Sequence, residues 1–218
     1  PRTGPDPFSP KASRIVRALL CNRERASTQE ELSAETDASR TLVSQVLSQL
    51  VEDELVEQVR RSAKGTPALY QLSDFDRLLD AWVREDNWSG RTRVQQYSLL
   101  SDRPEEIARK LLDSLGGHAV CFTQWFAWWL RHPYTTPPLV SAYLKDGKYL
   151  EIVPGRKVNT GGNLWLIEPA DEGVFYGVQQ SGGFPLASDV QVYLDLLQVG
   201  QRGPDQAEEL RKWEGFAR

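Results

Sequence analysis

The feature that most constrains the fold is a change of apolar period near residue 53. Before it, three segments show the 3.6-residue period of helices, over 13–22, 28–35 and 39–53. After it, "LVEQVRR" at 55–61 and "ALYQLS" at 68–73 alternate as strands do, on either side of the turn "SAKGTP". The sequence therefore predicts three helices followed directly by a hairpin.

Local signals define these helices more closely. "STQE" at 27–30 has a glutamate three residues after a serine, which predicts a capping box at the start of the second helix. "TDAS" predicts a short turn before the third helix, and a fourth helix is predicted over 75–85. This order is typical of a winged helix-turn-helix. The predicted inward face of the third helix consists of Leu42, Val43, Val46, Leu47 and Leu50.

The opposite face of the third helix is polar, and in a helix-turn-helix that face lies in the major groove. Arginine can pair with guanine and glutamine with adenine, and this face has no acid before Glu52. An ordinary solvated helix, or a winged helix that binds only proteins, would show the same pattern. The third helix alone therefore does not favour DNA binding over these alternatives. The candidate DNA-binding residues of the helix are Ser39, Arg40, Thr41, Ser44, Gln45 and Ser48.

The predicted hairpin tip is basic. Arg60, Arg61 and Lys64 cluster there, as expected of a wing that contacts the phosphate backbone or the minor groove. Together with the third helix, this cluster favours double-stranded DNA as the partner. The acids of the second helix would then have to face away from DNA; they are Glu30, Glu31 and Glu35.

Composition sets further limits. The net charge of −4 argues against coating nucleic acid by bulk electrostatics, but it allows a local basic stripe. The most apolar run, "CFTQWFAWWL", stops at Arg131, short of the roughly 20 residues of a membrane span. Cys21 and Cys121 are predicted to be buried free thiols, and no zinc site, other metal or cofactor is predicted. The expected compartment is the cytoplasm, with residues 1–12 as a flexible leader.

The second half of the chain mixes both kinds of element. The polar stretch "NWSGRTR" marks a boundary between a winged helix domain over 13–88 and a second domain over 89–218. That domain is predicted to contain a helix over 103–115, strands at "HAVCF", "NLWLIE" and "GVFYGVQ", a hairpin at Asp146-Gly147, and later helices led by Ser188 and by "GPDQ". The predicted fold class is α+β, a winged helix-turn-helix followed by a mixed α/β domain.

No catalytic constellation is visible, so an enzyme is not predicted. The two histidines, His118 and His132, have no triad-like partner, and the glycine turns "NTGGN" and "SGGF" match no nucleotide-binding loop. Trp125, Phe126, Trp128 and Trp129 are expected to be core, with an interface anchor as the alternative. The carboxylates are scattered without metal-pair spacing, among them Glu151, Glu168, Asp171 and Asp195.

The region from 13 to 73 resembles the winged helix-turn-helix regulators of bacteria, although Glu54 stands where those proteins commonly have glycine. The segments "FTQWFAWWLRHPY" and "VQVYLDLLQVGQRGPDQAEELRK" extend the resemblance to the AbiEi-type antitoxins of type IV toxin-antitoxin (abortive infection) systems. Gln124 and Trp128 depart from that pattern. The matching residues of the second segment are Tyr193, Leu194, Asp195, Leu196, Gly200, Arg202, Gly203, Ala207, Glu208 and Leu210.

The resemblance implies a transcriptional autorepressor that binds inverted repeats upstream of its own operon. It also implies that the second domain opposes a nucleotidyltransferase toxin, without requiring a stable complex. Two alternatives stay open: a regulator whose second domain senses a ligand or a protein, and an enzyme with an accessory winged helix. The oligomeric state is not indicated by the residues.

Overall fold

A computed structural model describes the chain over residues 4–59, 65–116, 120–133, 136–200 and 202–217. The chain divides into two compact units. The first consists of Pro1–Asp86 with Ala217–Arg218, and the second consists of Asn87–Phe216.

The first unit begins with three helices that the apolar period predicts. They are α1 (Ser13–Cys21), α2 (Gln29–Thr36) and α3 (Arg40–Glu52), and after the hairpin comes α4 (Phe75–Glu85). All four predictions are confirmed to within two residues at each end. The stripe on α1 is buried, since Ile15, Val16, Leu19 and Leu20 are at most 3% exposed.

The capping box of α2 lies one residue later than predicted. Thr28 Oγ1 accepts a hydrogen bond from the Glu31 backbone N–H at 3.1 Å, and Glu31 Oε2 accepts one from the Thr28 N–H at 2.7 Å. The predicted cap, Ser27, has a different role: its N–H donates to the Tyr70 carbonyl, and its carbonyl accepts from the Tyr70 N–H. Because this pairing fixes the Ser27 backbone, the box forms on the next residue.

The hairpin follows α3 as predicted. Strands β1 (Val56–Val59) and β2 (Leu69–Leu72) pair antiparallel, with Val56 opposite Leu72. The bridge from Ser27 to Tyr70 adds a short third strand position beside β2. Helices with this three-membered sheet are the winged helix-turn-helix arrangement, so the predicted fold class is confirmed. The tip of the hairpin, 60–64, lies outside the described residues.

Glu54 ends α3 in a strained conformation. Its φ of +59° is left-handed, where a Cβ is unfavourable. The Leu55 N–H donates to the Leu50 carbonyl at 2.8 Å and the Glu54 N–H to the Val51 carbonyl at 3.1 Å, which are the two bonds of a Schellman motif. This left-handed backbone favours glycine, and the glutamate adopts it at a cost in free energy.

We expect Glu54→Gly to raise the free energy of unfolding of the first unit by about 1 kcal/mol, because glycine adopts this backbone without strain. Urea unfolding of the full chain measures the change. Glu54→Ala is the matched control, since it removes the charge and keeps the Cβ. An equal gain from alanine would assign the effect to charge instead of backbone conformation.

Residues 4–12, predicted to be a flexible leader, lie against the first unit. Pro7 and Ala12 are buried, and the Phe8 ring stacks on the Trp82 ring of α4 at 6.3 Å between centroids. The apolar side chains within this proline-rich stretch explain the difference, since they gain contacts on the helices.

The second unit is built on a mixed sheet. Among the described residues it has seven strands in the order β6-β3-β7-β5-β4-β9-β8, with β5–β7 and β4–β9 parallel and the other pairs antiparallel. The strands are β3 (Thr92–Ser98), β4 (Val120–Thr123), β5 (Val140–Leu144), β6 (Arg156–Val158), β7 (Leu164–Pro169), β8 (Gln179–Ser181) and β9 (Phe184–Leu186).

Helices cover this sheet. They are α5 (Trp88–Arg91), α6 (Pro104–Leu115), α7 (Gln124–Arg131), α8 (Asp189–Leu196) and α9 (Gly203–Lys212). α6 contacts β5, whereas α7 contacts β4 and β5 and also packs on α8 and α9. The helices predicted over 103–115, after Ser188 and at "GPDQ" are confirmed as α6, α8 and α9. The short helix α5 was not predicted and lies in the stretch assigned to the domain boundary.

Two strand predictions in this half are wrong. No hairpin forms at Asp146-Gly147: Asp146 Oδ1 accepts from the Lys148 N–H at 2.9 Å and caps a 3-10 helix, Gly147–Ile152. Likewise Asp171 Oδ1 accepts from the Gly173 N–H at 2.7 Å, and "GVFYGVQ" begins as a 3-10 helix, Glu172–Phe175. In both places a local aspartate bond competes with strand pairing.

The structure also bears on two predictions from composition, which concern the burial of the two cysteines and the absence of a membrane-spanning helix. Cys121 is buried, Cys21 is only half-buried, and no disulfide joins these two thiols. Within the described ranges, no helix combines the length and apolarity that crossing a membrane requires.

Candidate nucleic-acid interface

Helix α3 is anchored by one apolar face. Val43, Val46, Leu47 and Leu50 are all 0% exposed, as predicted. Leu42, also predicted to face inward, is only half-buried because it lies at the edge of this face, in the first turn. The anchored face fixes which side of α3 is presented to solvent.

The polar face of α3, which is predicted to contact DNA bases and is called the reading face below, points to solvent. Arg40, Thr41, Gln45 and Ser48 are exposed, and Ser44 is half-buried. Ser39 is exposed too, but its hydroxyl accepts from the Leu42 N–H at 3.2 Å and so caps the helix. Its structural role is therefore to fix the first turn, while the residues after it present polar groups to solvent.

The acids of α2 do not all lie as expected. Glu30 forms an ion pair with Arg40 across the turn between α2 and α3, and both side chains are at least 70% exposed. Glu30 thus lies beside the reading face, which corrects the expectation that it faces away. Glu31 and Glu35 instead form ion pairs with Arg25. The turn brings α2 and α3 together closely enough for the pairing with Arg40.

The basic wing residues Arg60, Arg61 and Lys64 lie outside the described residues, and their contact with DNA stays a prediction. The described residues on either side of them are exposed: Val59, at the end of β1, is 37% exposed, and Gly65 is exposed with φ +89°. The positive φ of Gly65 is the kind of backbone that a hairpin turn uses.

Comparison with known proteins gives little. No protein-family model matches the chain, and no curated protein matches it. Among solved structures, a mutant of Lactococcus lactis ZitR aligns at 21% identity over 32% of this chain and 49% of its own length, with a TM-score of 0.28. A second ZitR mutant, in complex with DNA, aligns at 19% identity over 48% of this chain and 72% of its own, with a TM-score of 0.29. The alignment thus spans about half the length of the first ZitR mutant. With TM-scores this low, neither structure supports an argument about the function of this chain.

The second unit contains a buried polar network that the sequence did not reveal. Its centre is Asp195 on α8, which is 0% exposed. Asp195 Oδ2 accepts from the Thr123 hydroxyl at 2.5 Å, and Oδ1 accepts from the Tyr143 hydroxyl at 2.9 Å and from Gln191 Nε2 at 2.7 Å. Arg91 Nη1 lies 3.0 Å from Oδ1 as an ion pair.

Electrostatics in this network follow from burial. Desolvation raises the pKa of the Asp195 carboxyl, opposed by Arg91 and by the donors around it. Burial, together with the nearby Asp195, raises the pKa of Tyr143 well above its ordinary value, so its hydroxyl keeps its proton and donates. The same hydroxyl accepts from Arg91 and Gln191. The network is therefore a set of matched donors and acceptors that joins α5, β4, β5 and α8.

A second buried pair lies nearby in the same unit. Arg131 Nε contacts Asp189 Oδ1 at 2.6 Å, and its guanidinium also donates to the Ala187 carbonyl at 2.7 Å. Burial lowers the pKa of Arg131, and Asp189 counteracts it. Both buried acids stand in the apolar string "DVQVYLDLLQ", and a charge in such a context is the signal that could have predicted them.

Across the part of the chain that the structure describes, no group of three His, Cys, Asp or Glu side chains could hold a metal. His132 stacks on Trp128 at 5.1 Å between ring centroids, and His118 lies outside the described residues. The exposed polar face of α3, anchored by its buried apolar residues, is the candidate site.

Proposed function

We propose that this protein is a sequence-specific transcriptional regulator that binds double-stranded DNA through α3. One observation carries the proposal: a capped helix of a winged helix-turn-helix is anchored by four fully buried apolar residues and turns its polar side to solvent. This is the geometry needed to place side chains against base edges in a major groove. The proposed role is regulatory and not catalytic. Because the proposed partner is DNA, we place the protein in the cytoplasm as part of the proposal.

Roles follow from side-chain chemistry. Arg40 and Gln45 lie in the first half of α3 and have the forked donors and acceptors that pair with guanine and adenine edges. Thr41, Ser44 and Ser48 have hydroxyls suited to phosphates or to either base class. The wing residues Arg60, Arg61 and Lys64 supply the proposed phosphate contacts.

Glu30 modifies this role. Its carboxylate forms an ion pair with the Arg40 guanidinium in the protein without DNA, so this ion pair must break before Arg40 can bond to a base. The exchange favours a correct guanine, which offers two acceptors, over sites that offer none. Glu30 would also repel nearby phosphates. We therefore propose that Glu30 lowers non-specific affinity and sharpens selection at the base that Arg40 contacts.

We expect Glu30→Gln to raise non-specific DNA affinity about twofold to fivefold, the range that corresponds to loss of one exposed ion pair. Fluorescence anisotropy on random duplex DNA measures it, with Glu85→Gln as the charge-matched control. In an Arg40→Ala background the gain should shrink. An equal gain with and without Arg40 would show a general charge effect and contradict the pairing.

The finer proposal is an autorepressor with an antitoxin role against a nucleotidyltransferase. It rests on the sequence resemblance alone. In the structure the matching residues Tyr193, Leu194, Asp195 and Leu196 are all buried in α8, so they support a shared interior rather than a shared binding surface. A regulator whose second unit senses a ligand or protein stays the alternative.

Co-expression separates these proposals. If the protein is an antitoxin, the full chain should restore growth of cells expressing a nucleotidyltransferase encoded next to its gene. The Arg60→Ala, Arg61→Ala, Lys64→Ala variant should restore growth equally, because it impairs only DNA binding. Absence of rescue by both proteins, at matched expression, would leave the DNA-binding role and remove the antitoxin role.

A further inference from the structure

The second unit contains a cavity of about 370 Å³ whose walls are largely aromatic. Pockets for small molecules commonly have volumes of about 300–1,000 Å³, apolar walls and a few placed polar groups. One wall is formed by Trp125, Trp128 and Trp129 of α7 and by His132, the residue that follows this helix. The three tryptophans stand at i, i+3 and i+4, which is one face of a helix.

This aromatic face is separate from the core face of α7. Phe126 and Ala127 are 0% exposed, and Phe126 packs edge-on against Phe122 and Phe184. Trp125 and Trp129, by contrast, are only half-buried. The helix therefore has two apolar faces with different uses, and the cavity face keeps indole surface accessible that the core does not need.

The central wall is held in place before any ligand arrives. Trp128 is 4% exposed, and its Nε1–H donates to Gln206 Oε1 of α9 at 2.8 Å. Its ring stacks on His132 with an interplanar angle of 6°, and it meets Trp213 edge-on at 6.2 Å. A fixed indole loses little conformational freedom on binding, which favours a rigid, flat partner.

The charge of the lining residues indicates the sign of the charge on the ligand. Arg202, at the N-cap of α9, lines the cavity, and no acidic residue lines it among the residues that the structure describes. An aromatic cage for a cation would be opposed by this guanidinium. A planar molecule with a carboxylate or another anionic group satisfies both features, with stacking on indole and a charge-assisted bond to Arg202.

We propose that the cavity between α7 and α9 is a binding site for a small planar aromatic anion, held by the indoles of α7 and by Arg202. Gln206 also lines the cavity, and because its amide oxygen accepts from Trp128, its amide nitrogen is the group that can donate to a ligand. This site does not depend on DNA binding by the first unit, and it can be tested apart from it.

Three naphthalene probes of one shape and different charge test the proposal: 2-naphthoate, neutral 2-naphthamide and cationic 2-naphthyltrimethylammonium. Isothermal titration calorimetry with the full chain should show one site for 2-naphthoate, bound about tenfold more tightly than the amide. The cation should bind most weakly. Preference for the cation, equal affinity for acid and amide, or no binding of any probe would overturn the proposal.

Variants then locate the site. Arg202→Ala should reduce 2-naphthoate affinity about tenfold and leave 2-naphthamide affinity within twofold, whereas Trp125→Ala should weaken both probes. Lys212→Ala is the charge-matched control, since Lys212 is an exposed cation of the same helix outside the cavity. Circular dichroism verifies that each variant is folded. Equal losses from Arg202→Ala and Lys212→Ala would overturn the assignment of Arg202.

Discussion

Asp195→Ala is expected to lower the free energy of unfolding of the second unit by about 3–5 kcal/mol, the usual cost of breaking a buried charge pair by removing one partner. The carboxylate is fully buried and accepts from the side chains of Thr123, Tyr143 and Gln191 while facing Arg91. Alanine would leave these donors buried without their acceptor and would add a void. The network joins elements far apart in sequence, so its loss should loosen the whole unit.

Urea unfolding of the full chain, with hydrogen exchange of α8 and β4 peptides, measures this loss. Asp205→Ala is the control, because Asp205 is exposed in the first turn of α9 and its removal should cost less than about 1 kcal/mol. If Asp195→Ala cost no more than Asp205→Ala, the network would not be a stabilising element.

The pH dependence has a definite sign. Burial raises the pKa of Asp195 in the folded state above its ordinary value of 3.8, so the part of its contribution that depends on the bound proton is fully present below that pH and is lost as the pH rises through the folded pKa. The stability difference between the wild type and Asp195→Asn should therefore decrease as the pH rises from about 4. Urea unfolding at a series of pH values measures it, and a difference that grows with pH would contradict the raised pKa.

The triple variant Arg60→Ala, Arg61→Ala, Lys64→Ala is expected to bind duplex DNA about 10²–10³-fold more weakly near 0.1 M salt, because each lost phosphate contact releases about 0.9 fewer counterions. The slope of log affinity against log salt should flatten by up to about three units. The loss should be similar for all sequences, since phosphate contacts carry no base information.

Anisotropy titrations at several salt concentrations measure both quantities. Replacement of three cations elsewhere, in Arg84→Ala, Arg93→Ala, Lys212→Ala, keeps the same net charge change as the control. If the wing variant and this control lost affinity equally, bulk charge would explain the effect and the wing would have no specific role.

Local sequence signals predicted most helices, because the residues that determine a helix lie within it or directly beside it. Helices α1 and α3 follow from their apolar period, and α3 begins directly after the turn "TDAS". The predictions that were wrong concern competition between local and distant partners. Asp146 and Asp171 bond to their own turns, whereas Ser27 pairs with Tyr70, 43 residues further along the chain.

The reading face shows the same division. The periodicity of α3 correctly separates most buried positions from exposed ones, because that separation depends only on helix geometry. The ion pair between Arg40 and Glu30 depends on the angle between two helices, and no sequence pattern gives that angle. The centre at Asp195 was also missed, since its partners come from three other elements.

Selection from a library of random duplex DNA by the full chain tests the central claim most directly. The wild type should enrich one sequence motif. Arg40→Ala and Gln45→Ala should each lose preference at particular positions of it, at a cost of about 1–3 kcal/mol per contacted base pair. Absence of any enriched motif, or an unchanged motif in both variants, would contradict DNA reading by α3.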